Sequence, residues 1–220
     1  MDLTTYARRV SIATRERAAT AELLAELGPD APTLCAGWST RELAAHLAVR
    51  ERRPDATPGI AVPALSGWTD KVQAGYADRP YDELVELVRS GPGRLSPFAL
   101  PGWDRFFNTT EYVVHHEDVR RAQPGWAPRV LPRQVQDSLW RAVRSRASFA
   151  FRSADAGVVL RRSDAPRTTL VAAKGEPVAT VTGEPLELLL YVFGRRDHAV
   201  VEVTGDPAAI AALTATSLEV

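Results

Sequence analysis

The chain has 220 residues, room for one generous domain or two small ones, and its 45% hydrophobic and 25% charged residues suit a folded core rather than disorder. Lys+Arg (27) and Asp+Glu (27) cancel to a formal charge of zero, which argues against a general binder of nucleic acid or of anionic membranes, because such proteins need surplus cations to replace counterions. A single cysteine, Cys35, excludes an internal disulfide and a metal site built from thiolates alone.

From Met1 to Leu27, residues such as Asp2, Arg8, Arg9, Arg15 and Glu16 interrupt the apolar positions, so the stretch does not read as a signal peptide. No run reaches the ~18 apolar residues of a membrane helix. The expectation is a cytoplasmic protein without membrane contact. Apolar residues at helical spacing (Tyr6, Val10, Ala13, Ala21, Leu24) predict a first helix over Leu3–Leu27, ended by Gly28-Pro29. Ser39-Thr40-Arg41-Glu42 has the form of a capping box and opens a second helix that runs to about Arg52, ahead of Pro54. The Pro- and Gly-rich stretch Pro54–Gly67 reads as a loop. A third helix, Tyr81–Ser90, is closed by Gly91-Pro92-Gly93. A fourth begins at Asp104 or Arg105 and ends near Gln123-Pro124-Gly125. Pro132, suited to a first helical turn, opens a fifth helix through about Ser153.

Beyond that point short β-branched runs predict strands at Val158–Leu160, Thr168–Ala172 and Val178–Thr182. Gly183-Glu184-Pro185 introduces a helix, Leu186–Phe193. Ala199–Val203 reads as another strand, and Asp206-Pro207 caps a last helix to about Thr214. The expected organisation is a helical bundle over residues 1–155 followed by a small α+β domain over 156–220.

The chemistry concentrates on the second and fourth helices. Glu111 and His115 are four residues apart and share one helix face, Asp118 continues that stripe, and His46 lies between Leu43 and Leu47 on an inward face. Two imidazoles and a carboxylate meeting in a bundle core would suit Zn²⁺, Fe²⁺, Ni²⁺ or Mn²⁺ and leave a position open for water or substrate. The same residues have plainer readings: His46 as a hydrogen-bonded core histidine, and Glu111–His115 as a surface pair worth a few tenths of a kcal/mol. Phe106, Phe107, Tyr112, Val113 and Val114 around Glu111 speak against a solvated face, and an unpaired buried carboxylate is costly. Asp118 would either orient His115 or pair with Arg121. His116 points about 100° away from His115 and falls outside the ligand set. Cys35 reads as a half-buried structural residue and Trp38 as packing at the start of the second helix. Arg195 and Arg196 are candidates for binding an anionic group, or are simply solvated turn residues.

The string Cys35-Ala36-Gly37-Trp38-Ser39-Thr40-Arg41-Glu42-Leu43-Ala44-Ala45-His46-Leu47 resembles the second-helix motif of the DinB-like, mycothiol-dependent maleylpyruvate isomerase superfamily. Glu111-Tyr112-Val113-Val114-His115-His116-Glu117-Asp118 looks like that family's Glu-x-x-x-His-x-x-Asp segment. The tail, Val181-Thr182-Gly183-Glu184-Pro185-Leu186 with Gly194-Arg195-Arg196 and Val203-Thr204-Gly205-Asp206, is similar to its small C-terminal domain. Closest is an uncharacterised actinobacterial metal-binding branch. All but two of the 27 basic residues (Lys71 and Lys174) are arginine, a bias that suits such a source.

The resemblance implies a mainly α protein: a DinB-like four-helix bundle with an extra helix, then the α+β domain. It implies a divalent metal, zinc with Ni²⁺ or Fe²⁺ as alternatives, held by His46, Glu111 and His115. Glu111 takes the place of a histidine used in many DinB-like proteins. The function it implies is a mycothiol-dependent isomerase or S-transferase in which the metal activates the thiol. Its partners would be a small electrophile and a low-molecular-weight thiol, with no nucleic acid, and the chain a monomer or homodimer. Asp118 and Arg195 are the candidate catalytic residues. The rival readings are a non-catalytic metal- or ligand-binding protein and a purely structural bundle.

Overall fold

The computed structural model describes residues 11–93, 96 and 108–218. They fall into two compact units, Met1–Ala127 and Pro128–Val220.

In the first unit, α1 (Ile12–Leu27) starts where Ser11 Oγ accepts from the Thr14 amide at 3.0 Å, and it stops at Gly28, whose φ of 78° is costly for any residue with a Cβ. The part of the first predicted helix before residue 11 lies outside the described residues. Helix α2 (Thr40–Arg52) carries the capping box its sequence predicts: Ser39 Oγ accepts from the Arg41 amide at 3.2 Å, and Glu42 Oε2 accepts from the Ser39 amide at 2.9 Å. Every residue from Leu43 to Glu51 is buried, so α2 is the central helix of this unit.

The stretch read as a loop is largely helical. Pro58 opens a short turn, α3 (Pro58–Ala61), a 3₁₀ turn covers Pro63–Leu65, and α4 (Ser66–Ala77) follows. Gly59 permits the compact arrangement, because a Cβ there would lie 2.4 Å from the Leu65 carbonyl oxygen. The sequence assigns no element to most of α4, whose buried residues are only Thr69 and Val72. Helices α5 (Tyr81–Ser90) and α6 (Thr109–Arg121) complete the unit. The expected start of the latter at Asp104 or Arg105, with Phe106 and Phe107, lies outside the described residues. Helix α1 packs on α5 and α6, and α2 on α4 and α5. The core joins Ala21 and Leu24 of α1, Leu43 and Leu47 of α2, Leu84 and Val88 of α5, and Tyr112 and Val119 of α6.

The second unit begins earlier than the 155/156 boundary read from the sequence. Helix α7 (Arg133–Ala150), counted there with the bundle, belongs to the second unit and packs on α8 (Pro185–Val192). The reason is chemical as well as steric. Gln136 accepts from the Leu186 amide at 3.0 Å and donates to Glu184 Oε2 at 2.7 Å, which satisfies a free donor at the start of α8. Strands β1 (Gly157–Arg162), β2 (Thr169–Ala173), β3 (Val178–Gly183) and β4 (Glu202–Gly205) form a sheet of order β2-β1-β3-β4. Strands β1 and β3 run parallel, and the outer pairs are antiparallel. Register sets Val158 beside Ala179 and Leu160 beside Val181, all four buried.

The strand expected at Ala199–Val203 begins only at Glu202. Residues Arg196–His198 form a 3₁₀ turn, and the Val200 amide donates to Glu187 Oε2 at 2.8 Å instead of to the sheet. Helix α9 (Pro207–Ala215), capped by Asp206, closes the described chain. Among the described residues no helix is long and apolar enough to cross a membrane.

Candidate metal centre

Three side chains on two helices converge. His46 comes from the buried centre of α2, and Glu111 and His115 come from successive turns of α6. One ligand atom from each lies within 4.8 Å of the others. Glu111 Oε1 is 3.3 Å from His46 Nε2 and 3.3 Å from His115 Nε2.

The opposite nitrogen of each imidazole is already engaged. His46 Nδ1 donates to Gln73 Oε1 at 3.3 Å, and His115 Nδ1 donates to Asp118 Oδ2 at 2.9 Å. A histidine that donates from Nδ1 keeps its Nε2 lone pair for a ligand. Two such lone pairs aimed at one carboxylate oxygen repel it unless a proton or a metal ion lies between. The donor set of two imidazole nitrogens and one carboxylate oxygen, each imidazole oriented from behind, therefore fits a borderline divalent cation.

The electrostatics follow from the same contacts. Burial alone would push the Glu111 carboxyl up, but the Arg50 guanidinium and the two imidazoles outweigh it and hold the group well below the ordinary carboxylate range. Burial alone would push His115 down. Its hydrogen bond to Asp118, the nearby Cys35 thiol and the Glu111 charge outweigh that and hold it well above the ordinary histidine value in the metal-free protein.

Asp118 is fully buried and faces His115. Arg121, its other expected partner, instead bonds Glu117 at 2.5 Å. Cys35 is half-buried. Its thiol donates to Asp118 Oδ2 at 3.2 Å and lies 3.7 Å from His115 Nδ1, because the Leu34 amide bonds the Asp118 carbonyl and lays the loop ahead of α2 against α6. Cys35, His115 and Asp118 thus form a second group of metal-ligating atoms within 4.8 Å of one another. Its His115 nitrogen is the one already committed to Asp118. Trp38 lies beside His46, with ring centroids 4.9 Å apart. His116 turns away and bonds Glu16 of α1 at 2.8 Å.

Arg195 belongs to the second unit, where Nη1 donates to the Phe193 carbonyl at 2.6 Å. Arg196 bonds the Thr214 carbonyl at 3.0 Å. Sequence reasoning missed Gln73 and Arg50. Gln73 lies on a helix with little apolar pattern. Arg50 is legible only as the residue one turn beyond His46.

Comparison with known proteins bears on this arrangement. The family model described as the mycothiol maleylpyruvate isomerase N-terminal domain matches residues 10–99, and the MDMPI C-terminal domain model matches residues 119–212. A crystal structure of the mycothiol-dependent maleylpyruvate isomerase is similar over 89% of this chain and 91% of that one, at 18% identity and a TM-score of 0.60. A crystal structure of a histidine-to-alanine mutant of that enzyme aligns over the same shares at 17% identity and a TM-score of 0.60. No curated protein matches. Two family domains matched in order over most of the chain, on a backbone of the same fold, lead to one conclusion: this chain belongs to the mycothiol maleylpyruvate isomerase family.

Proposed function

We propose that this protein binds a divalent metal, zinc in the first instance, through His46, Glu111 and His115, and uses it to activate a low-molecular-weight thiol, mycothiol by family, for isomerisation or S-transfer on a small electrophile. The observation that carries the reading is the pair of Nε2 atoms 3.3 Å from Glu111 Oε1 with both Nδ1 atoms tied back. A bound zinc ion would supply a Lewis acid that lowers the pKa of a thiol in its open position, giving a nucleophile near neutral pH.

The protein's own side chains prepare that position. Asp118 fixes the tautomer and ring plane of His115, and Gln73 does the same for His46. Trp38 covers one side of the His46 ring. The single cysteine already donates to Asp118, so the reacting thiol comes from a cosubstrate. Asp118 is then a positioning residue.

The test is metal analysis of protein purified without a histidine tag, followed by turnover of maleylpyruvate and an electrophile panel with added mycothiol and zinc. Wild type should hold about one ion per chain, and H46A and E111A should lose it and lose thiol-dependent turnover. Retention of wild-type metal by both variants would refute the ligand assignment. A metal-loaded wild type with no thiol-dependent turnover would refute the catalytic part alone.

A further inference from the structure

Arg50 stands one turn beyond His46 on α2, with its side chain 9% exposed. Its Nε is 3.3 Å from Glu111 Oε1, the oxygen that also faces both imidazoles. On the far side Nη1 donates to Asn108 Oδ1 at 2.5 Å, and Asn108 Nδ2 donates to Glu51 Oε1 at 3.1 Å. Glu51 is paired with Arg17 of α1 at 2.6 Å. Asn108 is fully buried and Glu51 nearly so, which makes this a relay of charge and amide leading from the centre into the helix packing. A guanidinium keeps its proton at any working pH, so the relay carries a permanent cation to within contact of a metal-ligating carboxylate.

We propose that Arg50 is a charge-tuning and positioning residue of the metal centre: it shares the Glu111 carboxylate with the bound ion, holds Oε1 toward the two imidazoles, and weakens metal binding while making the bound ion a stronger Lewis acid. The inference rests on the metal-site reading above. Two imidazoles are neutral when they ligate, so Glu111 is the one anion among the three ligands, and Arg50 draws on that same charge. A divalent ion and a guanidinium flanking one carboxylate in a poorly solvated site repel each other strongly, and more than the guanidinium and the single proton on His115 that the ion displaces.

The sign of the effect separates this role from a merely structural one. If Arg50 only braced Glu111, removing it would loosen the ligand and weaken metal binding. If Arg50 competes for the carboxylate, removing its charge tightens binding.

The experiment is competition of Zn²⁺ alone against a chromogenic chelator, at fixed pH, for wild type, R50Q and R50K, with circular dichroism of each metal-free protein. R50Q should bind zinc at least about tenfold more tightly than wild type, and R50K, which keeps the charge, should stay within about threefold of wild type. A folded R50Q with equal or weaker affinity overturns the proposal. A wild type that binds no zinc removes the metal-site reading and this inference with it, an outcome distinct from a wild type that binds normally beside an unchanged R50Q. If R50Q does not fold, N108A takes its place: it leaves the charge but frees the guanidinium from its anchor, and its affinity should rise about threefold or more. Unchanged or weaker binding by N108A overturns the proposal.

Discussion

Metal binding at His46, Glu111 and His115 should release a proton, and the geometry identifies its source. In the metal-free protein His115 is held well above the ordinary histidine value, burial being outweighed by Asp118, Cys35 and Glu111. Glu111 is held well below the ordinary carboxylate range, burial being outweighed by Arg50 and the imidazoles. Near neutral pH Glu111 is therefore already ionised while His115 carries its proton, so an incoming cation displaces a proton from His115 and none from Glu111. The sign is fixed: below the raised pKa of His115, acidification weakens binding, by about tenfold or 1.36 kcal/mol per pH unit for one displaced proton.

From pH 7.5 to 6.5 the apparent zinc Kd of wild type should rise, by up to about tenfold. Calorimetry at pH 6.5, in two buffers of different ionisation enthalpy, should return about one proton released per ion. Asp118→Asn removes the carboxylate whose hydrogen bond does most to raise His115, so D118N should release less proton per ion than wild type at that pH and show a flatter profile. A wild-type affinity that changes less than about twofold over the interval, without proton release, would refute the reasoning.

Two further perturbations probe the units separately. Leu84 is fully buried in the first unit's core, so Leu84→Ala should cost about 2–5 kcal/mol in urea unfolding; a loss below about 1 kcal/mol would contradict its place in the core. In the second unit Gly205 has a φ of 129°, and a Cβ there would meet the Val178 carbonyl oxygen at 2.4 Å. Gly205→Ala should cost about 1–3 kcal/mol from the dihedral alone and lower the thermal midpoint, and an unchanged midpoint would show that β4 does not hold this register.

Much of this protein is legible locally. The capping box at Ser39 and Glu42, the glycines at 28 and 91, and Asp206-Pro207 mark helix ends, because a terminus is settled by which side chain reaches which free amide within a few residues. The shared face of Glu111 and His115 is equally local, a consequence of 3.6 residues per turn. The two family-matched ranges leave residues 100–118 between them, so for that pair the helical spacing is the more direct signal.

What the sequence by itself determined is therefore the type of the long elements other than α4, the identity of the candidate ligands and the helix faces that carry them. Tertiary structure decided which faces meet. It brought Gln73 to His46 from a helix with almost no apolar stripe, laid the Cys35 loop on Asp118, and resolved the two readings of Asp118 by turning it toward His115 while Glu117 took Arg121. It joined Arg50 to Arg17 through Asn108 and Glu51, and it gave α7 to the second unit through Gln136. None of these contacts follows from spacing along one helix. Each depends on desolvated polar groups finding partners on a different element, and only the packed chain supplies those partners.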